Sequence, residues 1–487
     1  MKEKKWDVIV IGSGPGGLAC AAMLVKSGKR VLVLEKNDHV GGKPVTVERG
    51  GYRYELGPKL QVPMRDPAFR TLFRELGMED RLGQVLLDAA TLCYRPDGSG
   101  EFRVQVAPQT GDDPTPLFDL WDLDDSERER AIAAMAEMVS LDGDALDELD
   151  EVSMKDYLAT LDVPWGLYSY MAMHANASLA EPIDRVAASE QLRIIQEIAA
   201  SGGGGYYLGG FGRVLADVAA WLRANGAEIL TRQRVGEILV SDGRVRGVAT
   251  AGSDFHAPVV VSSAGIQPTV LKLVGERHFD QGFVERLRAL EPGGGWATVR
   301  YFLDRPVLET GMALAYSDQS WWDLARARAV DDGEIPDEVT LFLTVPAVFD
   351  PTMAPAGKQC VIAGTLCSPD PLSKTIEPLY RRVDAMFERV FPAAWHAVER
   401  KECDGPLEVS DGTRDSVLPG QGGECVGLGQ VVGQCGRLKP DPELPVDGLF
   451  LAGCDAGAPS MGTHQATGSG MKVAGLVERW FDHAYAT

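Results

Sequence analysis

The 487-residue sequence lacks several features that would each fix its class. No uncharged apolar run approaches the ~18 residues of a membrane span, so no transmembrane helix is expected. The N-terminal stretch MKEKKWDVIVIG is basic but carries no signal-like apolar region or cleavage site. Eight cysteines lie scattered at positions 20, 93, 360, 367, 403, 425, 435 and 454, and none form a CxxC pair. Neither a zinc site nor a redox dithiol is expected, no residue is assigned to a metal, and a reducing, cytoplasmic compartment fits best. Positive charge is scarce: 48 Lys and Arg stand against 70 Asp and Glu, a net charge of −22. This argues against nucleic acid as a partner, because phosphate binding needs basic surface. It also weakens electrostatic docking to anionic lipid, while leaving peripheral hydrophobic contact with a membrane open. Internal repeats and low-complexity tracts are absent.

A second complete GxGxxG unit is missing too. The nearest candidate, VGLGQVVGQCG at 426–436, has wrongly spaced glycines and no acid-terminated strand after it. A dedicated pyridine-nucleotide domain is therefore not expected. With 45% hydrophobic and 24% charged residues, the composition is that of a soluble globular protein, long enough for two or three substructures.

One such unit opens the chain. WDVIVIGSGPGGLACAAMLVKSGKRVLVLEKN reads as strand, turn, helix, strand. Gly12, Gly14 and Gly17 have GxGxxG spacing, with Pro15 and Gly16 between them. The first glycine permits the tight turn, the second a close pyrophosphate, and the third helix-on-strand packing. The helix points its N-terminal N–H groups at the phosphates and buries Leu18, Ala21, Ala22 and Val25. Glu35 ends the second strand, followed by Lys36. An acid there accepts from ribose hydroxyls and disfavours a 2′-phosphate, so the ligand is NAD-like or FAD.

The next stretch, DHVGGKPVTVERGGYRYELGPKL, holds Gly41-Gly42-Lys43 and then Gly51, Tyr52, Glu55, Gly57 and Pro58. Here the chain resembles the flavoprotein superfamily of amine oxidases and phytoene desaturases. In that group a GG(R/K) turn and a GYxxDxGP-like segment follow the first βαβ unit beside the flavin. The resemblance implies FAD, with Gly41, Gly42, Lys43, Gly57 and Pro58 near it. Lys43 stands where Arg is more usual and Glu55 where Asp is common. Lys meets a phosphate or ribityl group as a point charge, without the bidentate fork.

In the middle, 209–250 reads as a helix stopped by Gly226 and then three strands, with Asp242-Gly243 as a hairpin turn. The resemblance gives Val235 a main-chain contact with adenine; an ordinary core valine is equally compatible. HAPVVVSSAG, 256–265, is a further buried strand. The linker ASGGGGYYLGGFG, 200–212, marks the crossing between domains, with Tyr206, Tyr207 and Phe211 either near the cavity or simply core aromatics. The acidic segment around 120–157 reads as solvated helix. The DPxxAPxGK pattern at 350–358 resembles the phytoene dehydrogenase-related branch.

The tail VDGLFLAGCDAGAPSMGTHQATGSGMKVAGLVERWF resembles the family's C-terminal motif, a strand and loop leading into a last helix beneath the flavin. The resemblance places Gly453 and Asp455 on the phosphate–ribityl side, and Met461, Gly462, Thr463 and His464 on the flavin side. His464, as a neutral imidazole, could hydrogen-bond substrate or move a proton, or else only position the cofactor. Cys454 as a flavin-linking thiol is set against a buried inert cysteine.

The expected fold is α/β: a discontinuous Rossmann-like FAD-binding domain of glutathione reductase type with an α+β substrate domain. The flavin domain takes 1–75, 201–270 and 421–487; the substrate domain takes 76–200, largely helical, and 271–420, with a mixed sheet. The expected activity is FAD-dependent desaturation of a small hydrophobic or alicyclic, isoprenoid or cyclic ketone-like substrate. Tyr206, Tyr207 or His464 would move the proton, and O2 or a quinone would reoxidise the flavin. The alternatives are an amine oxidase, a redox-neutral isomerase and a non-enzymatic prenyl-protein binder of the GDP-dissociation-inhibitor type.

Overall fold

The computed structural model describes residues 6–57, 67–108, 113–201, 204–457 and 461–485. Five short strands form one all-parallel sheet: β1 (Val8–Ile11), β2 (Val31–Leu34), β3 (Glu228–Leu230), β4 (Val259–Ser262) and β5 (Leu449–Leu451), in the order β5-β4-β1-β2-β3. VIVI in β1 and VLVL in β2 are buried along their whole length, as a parallel sheet covered on both faces requires. The sheet thus joins strands from the start, middle and end of the chain.

Helix α1 (Pro15–Lys26) follows β1 at once, with Pro15 at its first turn, where the missing N–H is no loss. Gly28, at φ +87°, ends it, and Lys29 N–H closes onto Leu24 O at 3.0 Å. Its buried side carries Leu18, Ala21, Ala22 and Leu24; Val25, expected there, is half-buried. Helix α2 (Phe211–Ala224) buries Leu215, Val218, Ala219 and Leu222 as its spacing predicts. The Glu55 carboxylate sits at its N-terminus, accepting from Phe211 N–H at 3.1 Å. The Asp242-Gly243 hairpin has both residues at positive φ, +54° and +71°.

Helix α3 (Gly462–Tyr485) closes the fold by lying along α1. It begins earlier than the apolar pattern of its second half suggests, taking Thr463–Ser469 into helix. A Cβ at Gly470 would lie 2.2 Å from Gly16 O and 3.0 Å from the Ala19 Cβ. Only glycine allows the two helices to meet there.

A second, seven-stranded mixed sheet has Gly295–Leu303 paired between Gln359–Cys367 and Val398–Asp404. At its other end Met312–Ser317 runs parallel to Ala89–Arg95, which pairs with Arg103–Pro108. Those last two strands fall in the segment expected to be helical; only its later part, from Thr115 on, is mainly helix. The acidic helix Asp125–Ser140 is solvated as expected, with only Ala131, Ala134 and Met138 buried. None of the eight cysteines forms a disulfide. Among the described residues, no helix is long and apolar enough to cross a membrane.

The helix-on-helix contact makes a paired prediction. Ala is better than Gly in a helix interior by about 1 kcal/mol. At Gly470 the clash with backbone exceeds that gain, so Gly470→Ala should destabilise by about 1–3 kcal/mol. At Gly468 a Cβ meets nothing within 4 Å, so Gly468→Ala should be neutral or stabilising. Urea denaturation of both variants checks this; equal behaviour would contradict the packing.

Candidate active site

The carboxyl ends of β1, β2, β4 and β5 converge on one cavity of about 650 Å³. It lies where the strand order reverses, the crevice that open α/β sheets use for ligands. Gly12, Gly14, Pro15 and Gly16 line it at the N-terminus of α1. Gly12 turns at φ +90°. Gly17 stands behind the lining, where a Cβ would come 2.2 Å from Gly12 O, so its role is packing the helix onto the turn. Gly41, also behind the lining, donates its N–H to Ser13 O at 3.1 Å and so fixes the second loop to the first. Gly42 lines the cavity, and a Cβ on it would stand 3.1 Å from Gly14 Cα.

The tail supplies the opposite jaw. Gly453, at φ +134°, approaches Gly16 so closely that a Cβ on Gly16 would lie 3.0 Å from Gly453 N and Cα. Two chain segments more than 400 residues apart thus make one cradle of bare backbone, which fits a pyrophosphate at a helix N-terminus.

Towards the end of β2, Glu35 lines the cavity. Its carboxylate accepts from Ser13 N–H (2.9 Å), Ser13 Oγ (2.5 Å) and Asn37 N–H (2.9 Å). A carboxylate has about four acceptor positions, so one stays available to a ribose hydroxyl. Val235, 7% exposed, lines the same end. Lys36 lines it too, tied to Asp415 at 3.3 Å. Asp415 also holds Arg234 at 2.7 Å and Lys272 at 2.6 Å. Partial burial would raise that carboxyl, but Lys272 and Arg234 hold it well below the ordinary range.

Two cations stand close together at the cavity wall. Lys43 is half-buried, its desolvation lowers its pKa, and it donates to the carbonyls of Glu424 (2.5 Å) and Val426 (3.1 Å). Arg414, which the sequence reading missed, lines the wall beside it. Asp455, expected to serve the cofactor, lines the cavity, and its carboxylate is engaged by protein. It takes Arg414 as a two-pronged pair at 3.1 and 2.9 Å, and the N–H groups of Ile266 and Leu428 at 2.9 and 3.0 Å. Burial pushes this carboxyl up, yet Arg414 and the two amides leave it below its usual value. Burial also raises the Cys454 thiol to about 11, and its Sγ donates to Gly462 O at 3.2 Å. It is a protonated thiol at neutral pH, not a nucleophile.

Gly57, Met461, Gly462, Thr463 and His464 all line the cavity; Pro58 lies outside the described residues. His464 Nδ1 accepts from Ala68 N–H at 2.9 Å, at the start of the helix Ala68–Glu75. An amide can only donate, so this nitrogen keeps its lone pair and the ring proton belongs on Nε2.

Tyr206 and Tyr207 must be moved out of the site. Both are fully buried and neither lines the cavity, because the strand Gly205–Tyr207 pairs with Gln84–Leu86 and turns its rings into the core. Tyr206 donates to Glu55 at 2.5 Å, and Tyr207 packs edge-on to Phe69 and Phe211. Burial pushes both phenols up, Tyr206 with the help of Glu55. Phe211 does reach the cavity.

Near Met461, which packs against the same apolar cluster as Ile198, Met312 and Phe342, the lining forms a chamber with Leu87, Ile194 and Leu314. Its polar contributions from the helix Trp165–His174 and the turn after it are Tyr170, His174 and Ser178, also missed. Their spacing of four was the available signal, hidden within the apolar run WGLYSYMAMHANAS. His174 Nδ1 is buried without a hydrogen-bond partner, an arrangement that costs about 1–3 kcal/mol.

A parallel sheet, a backbone cradle at a helix N-terminus and a ribose-side acid define a dinucleotide-binding protein whose chamber lies beside the tail jaw. The chain belongs to the family of flavin containing amine oxidoreductases, which it matches over residues 15–477. A flavin in a dinucleotide cradle is FAD, and the protein is an FAD-dependent oxidoreductase. It is 22% identical to the chloroplastic prolycopene isomerase of Arabidopsis thaliana over 97% of this chain and 82% of that protein. It is 23% identical to the neurosporene-forming phytoene desaturase of Rhodobacter capsulatus over 96% of this chain and 93% of that protein. The fold resembles that of putrescine oxidase in a structure with bound putrescine: TM-score 0.69, 16% identity, covering 98% of this chain and 100% of that one.

Asp455→Asn leaves Arg414 buried without its counter-charge and should cost about 3–5 kcal/mol at pH 7. Because the folded-state pKa of Asp455 is lowered, its contribution is complete above the unfolded value near ~3.9. That contribution is lost as pH falls through the folded value. Denaturation at neutral and acid pH checks this: wild-type-like stability of the variant at pH 7 would contradict it.

Proposed function

We propose that the protein is a desaturase or dehydrogenase, removing a hydride and a proton across a C–C bond of a lipophilic or alicyclic substrate. The observation that supports this is the chamber next to the tail jaw. The walls contributed by Ile194, Ile198, Met312, Leu314 and Phe342 are apolar, and the further carboxylates of the lining, Asp404 and Glu408, are engaged by Arg300 and by the Gly405 N–H. When bound, FAD supplies the two-electron sink for a hydride from a substrate carbon. The adjacent carbon loses a proton, a C=C bond forms, and O2 or a quinone takes up the electrons in the second half-reaction.

The protein's own part is position, dryness and charge. The apolar walls exclude water from the reacting carbons. Gly462 and Thr463 bring the positive end of α3 to the cavity, where it stabilises negative charge that develops on reduction. Lys43 and Arg414 add fixed positive charge at the cavity wall. His464, with Nδ1 engaged by Ala68, acts as an Nε2–H donor towards substrate or cofactor. Gly12, Gly14, Pro15, Gly16, Gly42, Lys43, Gly57 and Gly453 form the cofactor cradle in this reading, with Glu35, Lys36 and Val235 at its adenosine end. Met461, Gly462 and Thr463 take the flavin side. Eight cysteines without a disulfide among them support a cytoplasmic setting.

A second reading, redox-neutral isomerisation, is favoured by the prolycopene isomerase relative, which spans nearly the whole chain. It predicts product without consumption of an electron acceptor.

Anaerobic mixing of the FAD-loaded protein with isoprenoids, cyclic ketones and amines tests the proposal. Bleaching of the flavin absorbance by the isoprenoids or ketones, with amines leaving it oxidised, is expected. Bleaching by amines alone would overturn it.

A further inference from the structure

The helix Trp165–His174 runs without a break into a single π turn, Ala175–Leu179. Such turns recur at functional sites, because they displace side chains from the regular helical ridge. Along this segment Tyr170, His174 and Ser178 follow one another at intervals of four, so they share a face. All three line the cavity. They form a polar stripe in a cavity that Ile194, Ile198, Leu314 and Phe342 also line.

The stripe is built to hydrogen-bond without charge. His174 is 8% exposed, and burial draws its imidazole down to about 4, so the ring is neutral at physiological pH. Its Nε2 shares a hydrogen bond with Ser178 Oγ at 3.2 Å, while Nδ1 is buried with no partner. The Tyr170 ring lies 6.3 Å from the imidazole, and burial raises its phenol, which stays protonated. A hydrocarbon substrate would leave these groups unanswered in an apolar chamber. An oxygen atom would answer them.

We propose that Tyr170, His174 and Ser178 recognise an oxygen function, keto or hydroxyl, on the lipophilic substrate. The inference rests on the C–C dehydrogenase reading and narrows its substrate class to oxygenated lipophiles. The Ser178–His174 pair serves both oxygens by reversing its direction. When Nε2–H donates to Ser178, the hydroxyl proton is left to donate to a carbonyl. When Ser178 donates to Nε2, its oxygen lone pairs are left to accept from an alcohol. Sites built around such groups discriminate strongly against analogues that lack the matching atom.

The test uses FAD-loaded protein and three matched probes: 4-tert-butylcyclohexanone, 4-tert-butylcyclohexanol and tert-butylcyclohexane. Binding is read as a perturbation of the flavin absorption spectrum, independently of turnover. The ketone or the alcohol should bind at least about tenfold tighter than the hydrocarbon, a difference of about 1.4 kcal/mol. His174→Phe should abolish that preference and leave hydrocarbon binding in place. The Tyr170→Phe/Ser178→Ala double variant deletes only two oxygen atoms and carries the same test should His174→Phe not fold. Equal binding of all three probes, no binding of any, or a preference that survives these variants overturns the inference. Stripe-dependent binding without flavin reduction by any ketone, alcohol or isoprenoid would sustain the stripe and sink the dehydrogenase reading instead.

Discussion

The close contact of α1 with α3 is the constraint on which the site depends. Gly16 meets Gly453 on one side and Gly470 on the other, in each case at a distance that leaves no room for a Cβ. The first contact brings the tail loop to the pyrophosphate turn, and the second holds the last helix along the first. Val473, Ala474, Val477 and Phe481 extend the same contact into the core that covers the parallel sheet. The cradle is therefore not a local motif: half of it arrives only after the chain has passed through the whole second sheet and returned. A dinucleotide bound there rests on both ends of the sequence, so cofactor affinity and global stability are coupled.

The cavity gathers fixed charge of both signs, with Glu35, Asp404, Glu408, Asp415 and Asp455 at its walls beside the cations. A protein of net charge −22 keeps Lys36, Lys43, Arg234 and Arg414 at the walls of this one cavity. Each is restrained: Lys43 by two carbonyls, Arg414 by Asp455, Lys36 and Arg234 by Asp415. Groups held this way need little reorganisation when an anionic cofactor binds, which is the condition for strong electrostatic stabilisation in a dry site. Asp455, itself part of the lining, fixes Arg414 in place. The neighbouring chamber is different in kind, with neutral polar groups on one helical face and apolar side chains around them.

Much of this could be read in the sequence, and the parts that could not share a physical cause. Gly12, Gly14, Gly17 and Glu35 were legible because backbone conformation and close approach dictate residue type at fixed spacing. The tail was legible because Gly453, Met461, Gly462 and His464 follow a strand-like run in the pattern of a known family. Tyr206 and Tyr207 were misplaced because an aromatic pair beside glycines suits a cavity and a core equally; pairing with Gln84–Leu86 decided it. The strands Ala89–Arg95 and Arg103–Pro108 pair with each other, but the sheet that holds them is reached only through Met312–Ser317, which lies more than 200 residues from Ala89–Arg95. Arg414 and the Tyr170–His174–Ser178 stripe gain meaning only from what stands opposite them in space, which no local pattern encodes.

The most direct test of the central claim is the mass of the product formed when a ketone, an isoprenoid or an amine is turned over anaerobically by the FAD-loaded protein. C–C desaturation predicts a product of the ketone or isoprenoid two mass units lighter than the substrate, formed in proportion to the flavin reduced. An isomer of unchanged mass formed with the flavin left oxidised, or a carbonyl product and ammonia formed from the amine alone, would contradict it.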